Sequence, residues 1–169
     1  MIGKFKIAFL LFCISSCAGC KIGYNFSGGS VPAEAKTSSV AMFVSNAPLA
    51  SPTLPLKITE KLKDQILAQT KLKIVPLDGD LKFSGLITGY SISPVAVQAN
   101  ETAGLNRLSI TISVTYVNQF DEKTNFTQSF TRFADYDSSQ ELTAVEDALI
   151  EEINKQLVQD VFDRAFSNW

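Results

Sequence analysis

The sequence contains one strictly alternating stretch, LSITISVTY at residues 108–116, in which every second side chain is apolar. Successive side chains of a β-strand point to opposite faces of the sheet, so this period of two predicts a strand with one buried face. The apolar residues would form that face, and serine and threonine alone would form the other. The stretch therefore predicts an antiparallel sheet that is covered on one side and exposed on the other.

Two further strands are predicted before this stretch. Residues 39–44 form a mostly apolar run, which indicates a strand covered on both faces or nearly so. Residues 81–97 form a longer segment in which the apolar positions change parity. A bulge or bend near Gly85 or Gly89 would let this strand switch the side that it buries.

A return strand is predicted at residues 125–133, after a hairpin loop at residues 121–124. Asp135 and Asp137 follow it, and we expect them in a loop that leads into the last helix. Because hydrolases that use paired carboxylates need no histidine, an enzyme is a further interpretation of these two residues. The sequence favours the loop.

The first predicted helix begins at residues 51–53 (Ser-Pro-Thr). Its apolar stripe has the spacing i, i+4, i+8 and comprises Ile58, Leu62 and Ile66. A string of basic residues runs along this helix and just past its end, comprising Lys57, Lys61, Lys63, Lys71 and Lys73. Two interpretations of the string remain open: a solvated helix face, or a patch that faces an anion.

The second predicted helix begins near Ala144, where Thr143 and Glu146 form a Thr-x-x-Glu capping box, and runs nearly to Trp169. Opposite charges at i, i+4 would support its exposed side, in the pairs Glu151–Lys155 and Asp160–Arg164. The element order is therefore β-α-β-β-β-α. This order predicts an α+β fold with two helices packed on one face of a four-stranded, mainly antiparallel sheet.

Composition excludes several classes of function. The chain of 169 residues has no histidine, which removes Ser-His-Asp and Cys-His catalysis and any zinc or haem site that needs histidine. Fifteen basic residues against 17 acidic ones leave no excess of positive charge for a nucleic acid. Walker A, GxGxxG, GxSxG and HExxH motifs are absent from the sequence. We therefore expect neither catalysis nor a metal site.

The N-terminal 19 residues have the form of an export signal. Lys4 and Lys6 precede an apolar octet, residues 7–14, that is far shorter than the ~20 residues of a membrane span. The sequence Ala-Gly-Cys that ends at Cys20 resembles a bacterial lipobox, in which the cysteine is diacylated and becomes the first residue of the mature protein. Two alternatives remain, acylation at Cys17 and a cleaved signal without lipid.

A lipid on Cys20 would anchor the protein to a membrane, since two acyl chains give stable attachment. Lys21 follows the cysteine. By resemblance to enterobacterial lipoproteins, retention in the inner membrane requires an aspartate at that position, so the expected location is the periplasmic face of the outer membrane. The predicted organisation is a signal peptide at 1–19, the lipidated cysteine and a tether with Tyr24 and Phe26 at 20–37, and one domain at 38–169.

Several segments in order resemble the LptE family in its Bacteroidetes-like form. They cover essentially the whole mature chain, and the ordered set rather than any one motif carries the resemblance. The segments are Cys20 with 23–28, then 48–49, 51–54, 62–64, 85–90, 106–108 and 130–136, which read GYNFSG, PL, SPTL, LKD, GLITGY, NRL and FTRFADY after the cysteine.

The resemblance implies a lipoprotein of the outer-membrane translocon for lipopolysaccharide, with two helices packed on a four-stranded sheet. Such a protein is not an enzyme and holds no cofactor beyond the acyl lipid on Cys20. It enters the lumen of the LptD β-barrel as a plug, assists the assembly of that barrel and contacts lipopolysaccharide on its way to the outer leaflet.

Lipopolysaccharide is an anionic amphiphile, so basic side chains are the natural candidates to contact its phosphates. The candidates in this sequence are Lys71, Lys73, Lys82, Arg107 and Arg132. A different hypothesis is a free-standing periplasmic lipoprotein that binds a small lipid or a glycan in a pocket between the helices and the sheet.

Overall fold

The computed structural model of the protein describes residues 31–95 and 104–167. The predicted signal peptide, Cys17, Cys20 and residues 21–30 of the tether lie outside the described residues. So do residues 96–97 of the second predicted strand and Trp169.

In the described part of the chain, six strands and two helices form one layered α+β unit. They are β1 (Thr37–Val40), β2 (Val44–Ser45), α1 (Leu54–Gln69), β3 (Lys73–Ile74), β4 (Leu81–Val95), β5 (Leu105–Asn118), β6 (Phe126–Asp137) and α2 (Leu142–Phe166), with a 3₁₀ turn at Glu122–Thr124. The strand order across the sheet is β3-β1-β4-β5-β6, and β2 also pairs with β4.

The sheet is mixed, because β1 is parallel to β3 and β4, and β2 is parallel to β4. The pairs β4–β5 and β5–β6 are antiparallel. The prediction of an α+β fold with two helices is confirmed, whereas the predicted number of four strands is wrong. The sheet is antiparallel along its long strands β4, β5 and β6, but it is not purely antiparallel. Strands β2 and β3 have two residues each, too few for a periodic pattern to reveal them.

The alternating stretch forms the centre of β5, as predicted. Its apolar side chains are at most 1% exposed and lie in the core: Leu108, Ile110, Ile112, Val114 and Tyr116. They face α1 and α2, whose apolar stripes belong to the same core cluster. Tyr116 packs against Phe83 of β4 with ring centroids 4.9 Å apart and against Phe166 of α2 at 6.3 Å.

Strand β4 contains the predicted irregularity. Its register with β5 shifts between Ile87 and Gly89, so the bulge lies at the second of the two proposed positions. Phe83 and Ile87 are buried before the bulge, and Tyr90, which has the other parity, is buried after it. The extra residue therefore lets β4 keep its apolar residues on the core side.

The predicted strand at 39–44 is broken in the structure. Strand β1 ends at Val40. In the residues that follow, the Phe43 side chain lies in the core and is 2% exposed, whereas Met42 is 54% exposed. The Phe43 ring occupies the space that a Cβ atom at Gly85 would need. The backbone N–H of Phe43 donates to Thr59 Oγ1 of α1 at 3.0 Å. Packing of one aromatic side chain between α1 and β4 thus interrupts the strand.

Helix α1 follows the prediction, with Leu54 as its first residue and Ile58, Leu62 and Ile66 buried. Helix α2 begins two residues earlier than expected, and the predicted capping box is wrong because Glu141 occupies the cap position without a side-chain bond.

Glu146 instead accepts a hydrogen bond from the Tyr90 hydroxyl at 2.5 Å, which joins α2 to β4. Together with burial of the ring, this contact raises the pKa of Tyr90 well above its usual range.

The two helices run parallel. Lys57 pairs with Asp147 at 2.5 Å, Lys61 pairs with Glu151, and Gln65 Nε2 donates to Gln159 at 2.7 Å, so residue numbers rise together along both helices. The predicted Glu151–Lys155 pair is replaced by a pair between helices. Two lysines of the basic string therefore contribute to helix packing, which is a third role beside the two that the sequence left open.

Candidate interaction surface

The sheet has two different ends and an uncovered face. We call the end where β5 turns into β6, at Asn118 and Phe126, the turn end; Thr37 of β1 lies there too. The opposite end, at Val95 and Leu105, is the loop end. The cross-strand register shows which side chains share the face away from the helices, because residues directly opposite each other lie on the same side.

Among the residues that the register pairs in the described strands, ten hydroxyl side chains share this uncovered face, which we call the hydroxyl face. Its members are Ser84, Ser91 and Ser93 on β4, Ser109, Thr111, Ser113 and Thr115 on β5, and Thr127, Ser129 and Thr131 on β6. Thr111 and Thr131 are hydrogen-bonded through their Oγ1 atoms at 2.9 Å. Thr115 and Thr127 form the same contact at 2.9 Å. A hydroxyl can donate once and accept twice, so each keeps capacity for a partner.

A charged cluster borders the hydroxyl face near the loop end. Arg107 donates from Nε to Asp135 Oδ1 at 2.7 Å and from Nη2 to Asp135 Oδ2 at 2.8 Å. Its guanidinium carbon lies 3.6 Å from the centroid of the Phe133 ring. The ion pair raises the pKa of Arg107 and lowers the pKa of Asp135. This cluster is an oriented ion pair beside an aromatic ring that is 46% exposed.

Arg132 lies on the other side of the sheet. It is opposite Ile110, whose side chain is in the core, and it binds Asp160 of α2 through two hydrogen bonds of 2.6 Å each. The predicted Asp160–Arg164 pair is therefore replaced. Arg164 instead lies over the Phe126 ring at 4.7 Å and donates to a glutamine of β6.

The three candidate lysines lie toward the turn end. Lys73 is opposite Thr37 in β3, and Lys82 is opposite Val117 and pairs with Asp78 at 2.8 Å. Lys71 is exposed in the segment between α1 and β3. The structure thus distributes the five candidate basic residues over two ends and two faces, and it does not bring them together.

Asp135 and Asp137 are strand residues of β6, so the predicted loop is wrong. The hairpin register extends the strand to Asp137 opposite Leu105, because β5 itself begins at Leu105. Asp137 Oδ1 accepts hydrogen bonds from the backbone N–H and the hydroxyl of Ser139, which lower the pKa of Asp137. Both carboxylates are thus held in the charged form, whereas a general acid needs a raised pKa.

Sequence reasoning missed the partners of both arginines. The register that pairs Tyr116 with Phe126 across the hairpin also places Asp135 opposite Arg107. The position of the hairpin loop in the sequence therefore contained the information needed to predict this pair. The pair between Arg132 and Asp160 had no such signal, because it joins a strand to a helix 28 residues away.

Residues of the described part of the chain line two open cavities. One of about 450 Å³ lies at the turn end and is lined by Val31, Glu34 and Phe120 among others. One of about 500 Å³ lies between β6 and α2, next to Arg132 and Arg164. The layer between the helices and the sheet, where the sequence suggested a ligand pocket, is filled by side chains such as Ile153 and Leu157 that are 0% exposed.

Neither α1 nor α2 combines the length and apolar character that a membrane-crossing helix needs.

Comparison with known proteins identifies the family. No curated protein sequence matches this chain. The fold is similar to that of a hypothetical protein from Chlamydia trachomatis, with a TM-score of 0.51 and 8% identity over 77% of this chain and 95% of that chain.

Two lipoproteins of known structure are also similar. The rare lipoprotein B from Shewanella oneidensis has 13% identity and a TM-score of 0.47, over 73% of this chain and 89% of that chain. A minor lipoprotein from Acinetobacter baumannii has 14% identity and a TM-score of 0.43, over 75% and 96%.

The family model LptE, described as lipopolysaccharide-assembly, matches residues 35–165, which is well over half of the sequence. The chain therefore belongs to the LptE family of outer-membrane lipoproteins that take part in lipopolysaccharide assembly.

Proposed function

We propose that this protein is the lipid-anchored accessory and plug subunit of an outer-membrane translocon for lipopolysaccharide. It is acylated at Cys20, lies at the periplasmic face of the outer membrane and occupies the lumen of an LptD-type β-barrel. There it assists barrel assembly and the export of lipopolysaccharide. The role is one of binding, and it requires no catalysed reaction and no cofactor beyond the acyl lipid.

The hydroxyl face is the observation that carries this proposal. The lumen of a large membrane β-barrel is polar and lined by side chains that need hydrogen-bond partners. A face with ten hydroxyls offers donors and acceptors along three strands without burying charge, so it can meet such a wall at little desolvation cost. A partner with an apolar surface would leave these hydroxyls unsatisfied.

The basic residues then serve the anionic phosphates of lipopolysaccharide. Arg107 uses Nε and Nη2 for Asp135, which fixes the guanidinium plane and leaves Nη1 for a further acceptor. Lys71 and Lys73 are exposed near the opposite end of the sheet. Arg132 would have to share its guanidinium with Asp160, and Lys82 its ammonium with Asp78. Contacts at both ends fit a ligand that moves along the molecule.

Co-purification from detergent-solubilised outer membranes tests the proposal. We expect the tagged wild-type lipoprotein to recover a large β-barrel protein in equimolar amount. Ser113→Glu, in the middle of the hydroxyl face, would place a charge against the lumen wall and reduce that recovery by about tenfold. The matched control is Ala68→Glu, on the exposed side of α1, which should recover the barrel normally.

Recovery of the wild-type protein without an equimolar barrel would contradict the plug role and favour the free-standing lipoprotein. Equal barrel recovery by both variants would contradict the assignment of the hydroxyl face. Thermal unfolding of the purified variants checks that each retains its fold.

A further inference from the structure

Strand β6 forms one edge of the sheet, and its outer side is open. It is the last strand in the order β3-β1-β4-β5-β6, and in the described part of the chain its backbone pairs with β5 alone. With 12 residues it is a long strand. The N–H and C=O groups on its outer side point away from β5, and such a row of groups is a template for the addition of another strand.

Strand β6 lacks the features that usually prevent strand addition at an edge. The opposite edge, β3, has only two residues, and a very short edge strand is one such feature. In β6 there is no proline and no lysine, and the register with β5 is continuous over its whole length, without a bulge. Two of its three charged side chains, Arg132 and Asp135, are held in ion pairs with other elements. We therefore expect another chain to cover this edge.

A groove of about 500 Å³ gives another chain access to the edge of β6. It is lined by residues 128–132 of β6 and by Asp160, Asp163 and Arg164 of α2. Neighbouring side chains of a strand point to opposite faces of the sheet, so five consecutive residues border one groove because it follows the edge of the strand. Helix α2 is thus a wall beside this edge and does not cover it.

The sequence of β6 is complementary to itself when two copies run antiparallel. Thr127, Ser129 and Thr131 lie on the hydroxyl face. With Ser129 opposite Ser129 of a second copy, Thr127 lies opposite the second copy's Thr131, and every hydroxyl meets a hydroxyl. The sheet already contains this contact between β5 and β6, in the 2.9 Å hydrogen bonds that join Thr111 to Thr131 and Thr115 to Thr127.

The same register also suits the side of β6 that faces the helices. It places Arg132 opposite Phe126 of the second copy, and a guanidinium beside an aromatic ring is a favourable pair. Phe126 already makes such a contact with Arg164, at 4.7 Å. Arg132 is the one charged residue in the segment 126–132, so no like charges face each other there. A partner with an apolar surface would instead leave the hydroxyls of this edge without hydrogen bonds.

The helix wall of the groove offers a further pair of opposite charges. Asp163 Oδ1 accepts a hydrogen bond from Gln159 at 2.8 Å, and Arg164 Nε donates one to Gln128 at 3.0 Å. Each of these two charges therefore has a neutral partner within its own copy. A two-fold axis at Ser129 brings both side chains from both copies into one groove, where Arg164 of one copy can pair with Asp163 of the other.

We propose that two copies of this chain pair through their β6 edges, antiparallel and centred on Ser129, and form a homodimer with one continuous sheet. Opposite residues share a face, so the helices of both copies lie on the same side of that sheet. The paired segment, residues 126–132, is short, and the dimer is correspondingly weak. It goes beyond the proposed function and needs no barrel; where that function also holds, the dimer is the form of the protein outside the lumen.

Disulfide crosslinking of the full-length lipoprotein in membranes tests the dimer. Ser129→Cys places two thiols at the two-fold axis and should give a covalent dimer in at least about fivefold higher yield than Ser113→Cys. Ser113→Cys is the matched control, because Ser113 lies directly opposite Ser129 on β5, on the same face but one strand away from the edge. Equal yields from the two variants would overturn the proposal.

The register has a test of its own. Thr127→Cys and Thr131→Cys should form a disulfide with each other when the two variants carry different tags and are produced together. Neither should crosslink with itself, because identical positions would lie about 13 Å apart along the strands. Self-crosslinking of either variant in the same yield as the mixture would contradict an antiparallel pair centred on Ser129.

Sedimentation of the full-length protein in detergent measures association without a crosslink. We expect the wild type to shift toward the mass of a dimer as its concentration rises. Ser129→Lys should associate at least about tenfold more weakly, since two ammonium groups would meet at the axis. Ser113→Lys is the control and should behave as the wild type, and melting temperatures check the fold of both variants. A wild type that stays monomeric at every concentration would overturn the proposal.

A photoreactive group attached to the Ser129→Cys variant identifies the chain that covers the edge in membranes. An adduct of twice the mass of the chain supports the homodimer. An adduct with a β-barrel or any other protein in its place would show that a different partner occupies the groove and would overturn the proposal. The sedimentation and disulfide measurements need no barrel, so their failure is distinguishable from failure of the proposed function.

Discussion

The guanidinium of Arg132 on β6 and the carboxylate of Asp160 on α2 form a two-pronged ion pair, with Nε–Oδ2 and Nη2–Oδ1 distances of 2.6 Å each. This contact joins the last strand of the sheet to the last helix. It also raises the pKa of Arg132, chiefly through the hydrogen bonds to Asp160. The side chains are 45% and 24% exposed, so solvent screens much of the attraction.

Exchange of the two charges tests this pair. Arg132→Asp alone should lower the free energy of unfolding by about 1 kcal/mol, because it places two carboxylates together at a partly exposed site. The double variant Arg132→Asp, Asp160→Arg should recover part of the loss. Urea unfolding of the two single variants and the double variant gives the coupling energy, and a coupling near zero would show that the pair does not stabilise the fold.

Gly85 should tolerate no side chain while Phe43 is present. A Cβ atom at this position would overlap the Phe43 ring, so Gly85→Ala should cost about 1–3 kcal/mol of unfolding free energy. Replacing the ring by a smaller side chain, in Gly85→Ala with Phe43→Leu, should cost less than the sum of the single changes. Gly89→Ala is the control, because its Cβ would lie 3.2 Å from Thr111 Cβ, whereas a Cβ at Gly85 would lie 2.1 Å from an atom of the Phe43 ring. Equal costs at the two glycines would contradict the role of Phe43.

Alkaline pH should destabilise the protein through Tyr116. Burial raises the pKa of this phenol to about 12, whereas the unfolded chain titrates near 10. The stability from keeping the neutral form is fully present below pH 10 and is lost as the pH rises toward 12, by up to about 2–3 kcal/mol. Tyr116→Phe should flatten the decrease in unfolding free energy between pH 10 and 12. An unchanged slope in this variant would assign the loss to other groups.

Removal of the Cys20 thiol should release the protein from membranes. Cys20→Ser should move most of the protein from the membrane fraction to the soluble periplasmic fraction, since the acyl chains supply the attachment. Cys17→Ser is the control and should stay in the membrane fraction. Mass spectrometry of the N-terminal peptide decides between the sites: acylation that persists in Cys20→Ser would identify Cys17, and a wild-type peptide without lipid would contradict the anchor.

Charge reversal at Arg107 should weaken contact with lipopolysaccharide. Arg107→Glu places two carboxylates side by side near the loop end, and we expect crosslinking from a photoreactive residue at position 105 to fall by at least about fivefold. The neutral pair Arg107→Gln with Asp135→Asn separates loss of the cation from repulsion. Unchanged crosslinking in a charge-reversed protein with a normal melting temperature would remove Arg107 from the candidates.

Local pattern was enough to predict the main elements of the fold. The period of two at residues 108–116, the helical stripe of α1 and the parity change in β4 all record the same constraint, namely which side of an element meets the core. That constraint determines the residue types at neighbouring positions, so it can be inferred from a short segment without knowledge of the rest of the chain.

The contacts between distant residues were accessible only from the tertiary structure. The interruption of the first strand depends on Gly85, more than 40 positions from Phe43, and the partner of Arg132 lies on a helix rather than on a neighbouring strand. The predicted capping box is wrong because the helix begins at Leu142, and Glu146 accepts a hydrogen bond from Tyr90 of β4 instead. The shortest strands, β2 and β3, exist because β4 and β1 offer them an edge.

The sequence by itself determined the α+β class, the two helices, the one-sided burial of β5 and the serine and threonine character of its other side, because each follows from side-chain period along the backbone. Only the tertiary structure decided the mixed six-stranded sheet, the distribution of the basic residues over two ends and two faces, and the cavity beside Val31. These depend on which segments meet in space, and that is settled by packing and pairing between residues far apart in the chain.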